Sequence, residues 1–161
     1  MVPGAESFLD NYLPYVLRRA DQTLSAPFYE RLTSLGIARS EWRVLAVLHE
    51  FGELSVLDLT AASLSPQPTV THAVRRLADR GLVTRVAGTV DRRQRFISMT
   101  PRGSELTTTL MDQAKRLESS ALAEADDLSG LAAALKQLTT IVERHAEAQN
   151  ALAADLTRET A

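Results

Sequence analysis

From Phe8 to Leu32 the apolar residues recur at Leu9, Leu13, Val16, Leu17, Ala20, Leu24, Phe28 and Leu32. Steps of three and four put them on one stripe of a helix. The spacing therefore predicts one long amphipathic helix, broken or kinked near Pro14 or Pro27, where a backbone donor is missing. Gly36 closes the segment. Ser40 offers a cap for a second helix over Glu41–Phe51, with Trp42, Leu45, Val47 and Leu48 as its apolar set and Gly52 as its stop. Ser55-x-x-Asp58 is capping-box-like and opens a short third helix to about Ser63. Ser65-Pro66 starts a fourth, which runs to about Arg80 and stops at Gly81.

The period then changes. Leu82 to Ala87 and Arg95 to Met99 read as two strands, joined by a turn over Gly88 to Gln94. Thr100-Pro101 repeats the cap-then-proline start. The helix that follows carries Leu106, Leu110, Ala114, Leu117 and Ala121 on one stripe and ends in the break at Asp126 to Gly130. Leu131, Leu135, Leu138, Val142, His145, Gln149 and Leu152 then follow a 4-3-4-3 spacing, the pattern of a helix that packs along a seam.

The fourth helix is the most telling. On a wheel of about 100° per residue, Val74 and Leu77 lie within about 40° of Val70 and form the buried face. Pro68, His72, Arg75 and Asp79 oppose them, flanked by Thr71 and Arg76, with Ser65, Gln67 and Thr69 at the N-terminal end. That outer face carries small hydrogen-bonding groups and arginines and no large apolar residue. Thr and Gln can reach base edges in a major groove, and Arg can make two bonds to guanine. The short turn at Ser63-Leu64 gives helix-turn-helix spacing, and the two strands behind it make a winged version. Arg92, Arg93 and Arg95 sit at or beside the predicted hairpin tip, where Arg93 would point into a minor groove. Asp91 is placed to orient a wing arginine, because a carboxylate repels phosphate.

Charge supports this reading once its distribution is considered. The 161-residue chain has a net charge of −2, which by itself argues against nucleic acid. Between Pro66 and Arg95, however, seven arginines face two acids, a local +5 that leaves −7 for the rest. There is no cysteine, so disulfides, thiolate metal sites and a thiol redox switch are excluded. No apolar run approaches the roughly 20 residues of a membrane span. The first ten residues lack the basic start and apolar run of a secretory signal, so a cytoplasmic protein is expected. No nucleophile-base pattern, paired carboxylates or glycine-rich phosphate loop occurs at useful spacing, so no enzyme and no cofactor is expected. His49 and His145 read as structural, with no metal site. His72 reads either as a base or phosphate contact or as a neutral surface residue. Trp42, Tyr12 and Tyr15 read either as the lining of a ligand cavity or as plain core.

Ser65-Pro66-Gln67-Pro68-Thr69-Val70-Thr71-His72 and Arg76-Leu77-Ala78-Asp79-Arg80-Gly81-Leu82-Val83-Thr84-Arg85 resemble the recognition helix and first wing strand of MarR-type transcriptional regulators. Asp91-Arg92-Arg93 resembles that family's wing motif, Met99-Thr100-Pro101-Arg102-Gly103 its junction into the next helix, and Trp42-Arg43-Val44-Leu45 part of its second helix. The resemblance implies a mainly α fold with a small β wing: a winged helix-turn-helix over residues 38–100, with residues 1–37 and 101–161 forming a helical dimerisation lobe. It also implies a homodimeric repressor that reads a palindromic operator in double-stranded DNA and responds to a small aromatic or anionic effector. Such a regulator would act in the cytoplasm of a bacterium or archaeon, nucleoid-associated when bound to DNA. The rival expectation is a winged-helix interaction module, or a small-ligand-binding dimer, that does not bind DNA.

Overall fold

A computed structural model of the chain describes residues 7–87, 95–123, 128 and 130–159. Residues 1–121 form one compact unit and 122–161 a second. The first unit contains α1 (Phe8–Asn11), α2 (Leu13–Ser34), α3 (Arg39–Phe51), β1 (Leu54–Ser55), α4 (Val56–Ala62), α5 (Gln67–Asp79), β2 (Val83–Ala87), β3 (Arg95–Met99) and α6 (Pro101–Ala121). The fold is mainly α with a small antiparallel sheet of order β1-β3-β2. Among the described residues no helix is long and apolar enough to cross a membrane.

The predicted N-terminal helix divides at Tyr12 into α1 and α2. Pro14 lies in the first turn of α2, where its missing N–H is not needed. Pro27 lies inside α2, which continues through it to Ser34. The interruption expected near Pro14 or Pro27 thus falls beside Pro14, at Tyr12. Helix α3 starts before Ser40: its cap is Ala38, whose N–H donates to Glu41 Oε2 at 2.8 Å. At α4 the expected serine cap is present, with Ser55 Oγ accepting from the Asp58 N–H at 3.1 Å.

Two apolar clusters build this unit. The larger joins Val44, Leu45 and Leu48 of α3 to Leu59 of α4, Val70, Val74 and Leu77 of α5, and Val83 and Ile97 of the sheet. The smaller joins Phe28 and Leu32 of α2 to Ile37 and to Leu110 of α6. In the hairpin Val83 pairs with Met99, Arg85 with Ile97 and Ala87 with Arg95. The third strand, β1, pairs Leu54 with Ile97. Two residues are too few to carry a period-2 pattern, so β1 left no sequence signal.

The second unit holds α7 (Leu131–Glu159). Ile141 and Val142 are each 56% exposed. His145, expected in a packed seam, is exposed, and its Nε2 lies 2.9 Å from Gln149 Nε2, one turn on.

The junction between sheet and α6 has the tightest steric demand. Thr100 N–H donates to the Leu82 carbonyl at 3.1 Å, and Thr100 Oγ1 donates to the Gly81 carbonyl at 2.8 Å. The same Oγ1 accepts from the Gly103 N–H at 3.1 Å, which caps α6. Gly103 is buried against this corner, and a Cβ there would fall on the Leu82 carbonyl oxygen. Overpacking costs about 1–3 kcal/mol, and a backbone carbonyl held by two ends of the fold cannot give way as a side chain would. The helix propensity gained from alanine is only about 1 kcal/mol. Gly103→Ala is therefore expected to lower stability, read as an earlier midpoint in urea and a thermal midpoint reduced by several degrees.

Candidate nucleic-acid interface

Helix α5 is held by one face and open on the other. Val70, Ala73, Val74 and Leu77 are buried, while Gln67, Thr69, Thr71, His72, Arg75 and Arg76 are exposed. The outward set is the one the wheel predicted. Its N-terminus differs: the cap is Pro66 and the first helical residue Gln67. Ser65 does not cap the helix with its side chain; its Oγ donates back to the Ser63 carbonyl at 3.0 Å. The later start moves Pro68 into the first turn, where a missing donor is harmless. Gln67, Pro68, Thr71 and His72 rim one shallow depression.

Behind α5 lies a group the sequence reading overlooked. Glu41 is completely buried, at 0% exposure. Its Oε1 lies 2.7 Å from Arg76 Nε, off the line of that N–H, so the oxygen is balanced by charge rather than by a directed hydrogen bond. Its Oε2 accepts from Ala38 and lies 3.7 Å from Arg80 Nη1. Arg80 also donates to the Gly36 carbonyl at 2.8 Å and to the Leu35 carbonyl at 3.2 Å. Two of the seven arginines in the basic segment are thus tied into the fold. Arg76 keeps a 60% exposed side chain and can still present charge outward, whereas Arg80 is largely a strut. The signal was present in the spacing: Glu41, Val44, Leu45 and Leu48 share one helical stripe, with a carboxylate at an apolar position.

The other candidate residues divide. Arg85 is exposed on β2, and Arg95 opens β3 opposite Ala87. Asp91, Arg92 and Arg93 lie outside the described residues. Trp42 lines an open cavity of about 200 Å³, together with Phe28, Tyr29, and Ala114, Leu117 and Glu118 of α6. The Phe28 and Trp42 rings meet edge to face at 4.9 Å and 71°. Arg39 lies over the Tyr29 ring at 4.0 Å. Tyr12 and Tyr15 are not part of this wall. Both are exposed, and Tyr12 stacks on Phe8 at 5.0 Å. Phe28, which does form it, belongs to the apolar stripe of α2, whereas Tyr29 lies off that stripe and carried no sequence signal.

Comparison with known proteins adds to this geometry. The MarR family model matches residues 35–94. The HTH-type transcriptional regulator FarR of Neisseria gonorrhoeae is 30% identical over 90 residues, 56% of this chain and 62% of FarR, so the match spans less than two thirds of that relative. The MarR family transcriptional regulator SPO1453 from Silicibacter pomeroyi DSS-3 is 31% identical, with 85% of this chain and 99% of that one covered at a TM-score of 0.76. Bordetella bronchiseptica BpsR, whose DNA binding is regulated by 6-hydroxynicotinic acid, shares the fold at a TM-score of 0.71 and 24% identity, with 86% and 98% covered.

Removing the Glu41 carboxylate tests how α5 is held. Breaking a buried ion pair costs about 3–5 kcal/mol when the partner is stranded. Here Arg76 and Arg80 can both reach water, so Glu41→Ala is expected to cost roughly 2–3 kcal/mol in urea unfolding, the lost cap included. Glu41→Gln keeps an acceptor for the Ala38 N–H and is expected to lose clearly less.

Proposed function

This chain belongs to the MarR family of transcriptional regulators, and we propose that it is a ligand-responsive repressor, acting as a homodimer on a palindromic operator in double-stranded DNA. The observation that carries this reading is the outer face of α5. Gln67, Thr69, Thr71, His72 and Arg75 stand in solvent on a helix whose other face is locked into the larger cluster. Gln67, Thr69 and Thr71 suit base edges, and Arg75 suits a bidentate contact to guanine. Arg76, tethered through Glu41, suits a phosphate. Arg92, Arg93 and Arg95 are assigned to the flanking minor groove and backbone, with Asp91 orienting them.

Apolar surface supports the dimer. Phe8, Leu9, Tyr12, Leu13, Tyr15 and Val16 are exposed at the N-terminal end, as are Ile141 and Val142 on α7. A protein working as a single copy seldom leaves so many large apolar groups in water. Residues 1–37 and 101–161 are therefore assigned to dimerisation and 38–100 to reading DNA. The half-sites would then lie about 34–36 Å apart. The cavity walled by Phe28, Tyr29 and Trp42 suits a small planar effector of the size of 6-hydroxynicotinic acid. The Glu118 carboxylate at its edge disfavours an anionic group turned that way.

Four measurements test this reading. Selection of random duplexes by the purified protein is expected to enrich a palindrome bound far more tightly than bulk DNA; weak, salt-insensitive binding throughout would instead support an interaction module. On the enriched site, Arg75→Ala is expected to relax one base position by about 1–3 kcal/mol. Arg93→Ala is expected to weaken all sequences alike and reduce the log-log salt slope by about one. Trp42 is the sole tryptophan of the chain, so titration with 6-hydroxynicotinic acid is expected to change its fluorescence saturably and to lower operator affinity in parallel. No change in either signal would rule that compound out as the effector.

A further inference from the structure

Helices α2, α4 and α5 end in the same way. The residue after each cap takes left-handed backbone: Gly36 at φ 65, Leu64 at φ 50 and Gly81 at φ 65. Two backbone bonds close each end. Gly36 donates to Thr33 and Ile37 to Leu32; Leu64 donates to Ala61 and Ser65 to Thr60; Gly81 donates to Ala78 and Leu82 to Leu77. This is the Schellman arrangement, which favours glycine at the left-handed position because a side chain there crowds the following carbonyl. Among the described residues Leu64 is the one non-glycine with positive φ.

Beyond those two backbone bonds, no side-chain packing within the described fold offsets that strain. At the two glycine ends an apolar pair seals the turn: Ile37 with Leu32 in the smaller cluster, and Leu82 with Leu77 in the larger. At α4 the corresponding pair is Ser65 and Thr60. The Leu64 side chain is 89% exposed, the most exposed large apolar residue described. A small or polar residue would serve the turn better, and the same chain uses glycine for the purpose twice.

Leu64 is, however, well placed to act outside the fold. It stands three residues ahead of Gln67, the first residue of α5, on the turn that delivers this helix. The exposed set behind it, Gln67, Thr69, Thr71, His72 and Arg75, is rich in hydrogen-bonding groups. The one apolar group in the major groove is the thymine C5-methyl, which is read by apolar contact. We infer that Leu64 is a specificity-determining residue that packs on a thymine methyl at the edge of each half-site; this rests on α5 being the DNA-reading helix. Strain held at a position that does not stabilise the chain fits a residue retained for a partner.

The test combines a protein change with an atomic change in DNA, using the full-length chain. Wild type is expected to enrich a half-site with a thymine at its edge. Deoxyuridine there, which removes only the methyl, is expected to weaken wild type about fourfold per half-site, the worth of one buried methyl-sized group. Leu64→Gly is expected to melt no lower than wild type, to bind the thymine site more weakly, and to be indifferent to the deoxyuridine exchange; Leu64→Asn, which also tolerates this backbone, is expected to match it. Equal sensitivity of wild type and variants to the exchange would overturn the inference, as would an enriched site without an edge thymine. A large drop in melting temperature in both variants would overturn it too, by giving Leu64 a role in the fold. A changed oligomeric state with unchanged DNA selectivity would assign the side chain to a second copy and overturn it as well. Failure of wild type to enrich any site would remove the DNA-reading premise itself, a result separable from all of these.

Discussion

The placement of the outward helix depends on one buried carboxylate. Glu41 has no access to water, and a carboxylate is buried at high cost unless it is paired. Three groups from two segments meet it: the Ala38 N–H at the start of α3, and Arg76 and Arg80 at the end of α5. Arg80 extends the link to the carbonyls that end α2. The hydrophobic effect that buries one face of α5 against α3 is not directional, so a paired charge adds a more specific constraint on the register. An ion pair at 2.7 Å with a second guanidinium behind it supplies that constraint. The register of the exposed face of α5 is therefore set by a residue with no exposure of its own.

Helix α3 is the wall shared by the two parts of this unit. Its Val44, Leu45 and Leu48 belong to the cluster under α5. Trp42, next to Glu41, turns to Phe28 and the cavity beside α6. Neighbouring residues on a helix point about 100° apart, so one turn of α3 serves both the cavity wall and the support of α5. The junction at Thr100 and Gly103 plays a similar part for α6, whose first turn is fixed to the carbonyls that follow α5.

Polar groups at helix ends do several kinds of work here. Ser55 caps α4 and Thr100 caps α6 through their hydroxyls. Ala38 has no such group, and the carboxylate of Glu41 performs the capping from inside the helix. Pro66 caps α5 without a side-chain acceptor. The first-turn N–H groups of α5 consequently have no side-chain partner from their own cap, which suits a helix end proposed to face phosphates.

Much of this was legible from sequence. The 3.6-residue stripes gave α2, α3, α5, α6 and α7, the cap-then-proline pairs gave the starts of α5 and α6 to within two residues, and the wheel of α5 separated its buried from its exposed positions. Those features are local: period and capping act within one or two turns of chain. What only the tertiary structure decided involves segments far apart in sequence. The strand β1 exists because Ile97 and Phe96 are there to pair with it. Arg76 and Arg80 look like further members of a basic patch until Glu41, some 35 residues earlier in the chain, is folded against them. Phe28 and Tyr29, rather than Tyr12 and Tyr15, wall the cavity because α6 packs against that stretch of α2. Periodicity reports which face of a helix is apolar; it carries no information on which other element covers that face, and that pairing is what turns a stripe into a core, a cavity or a clamp.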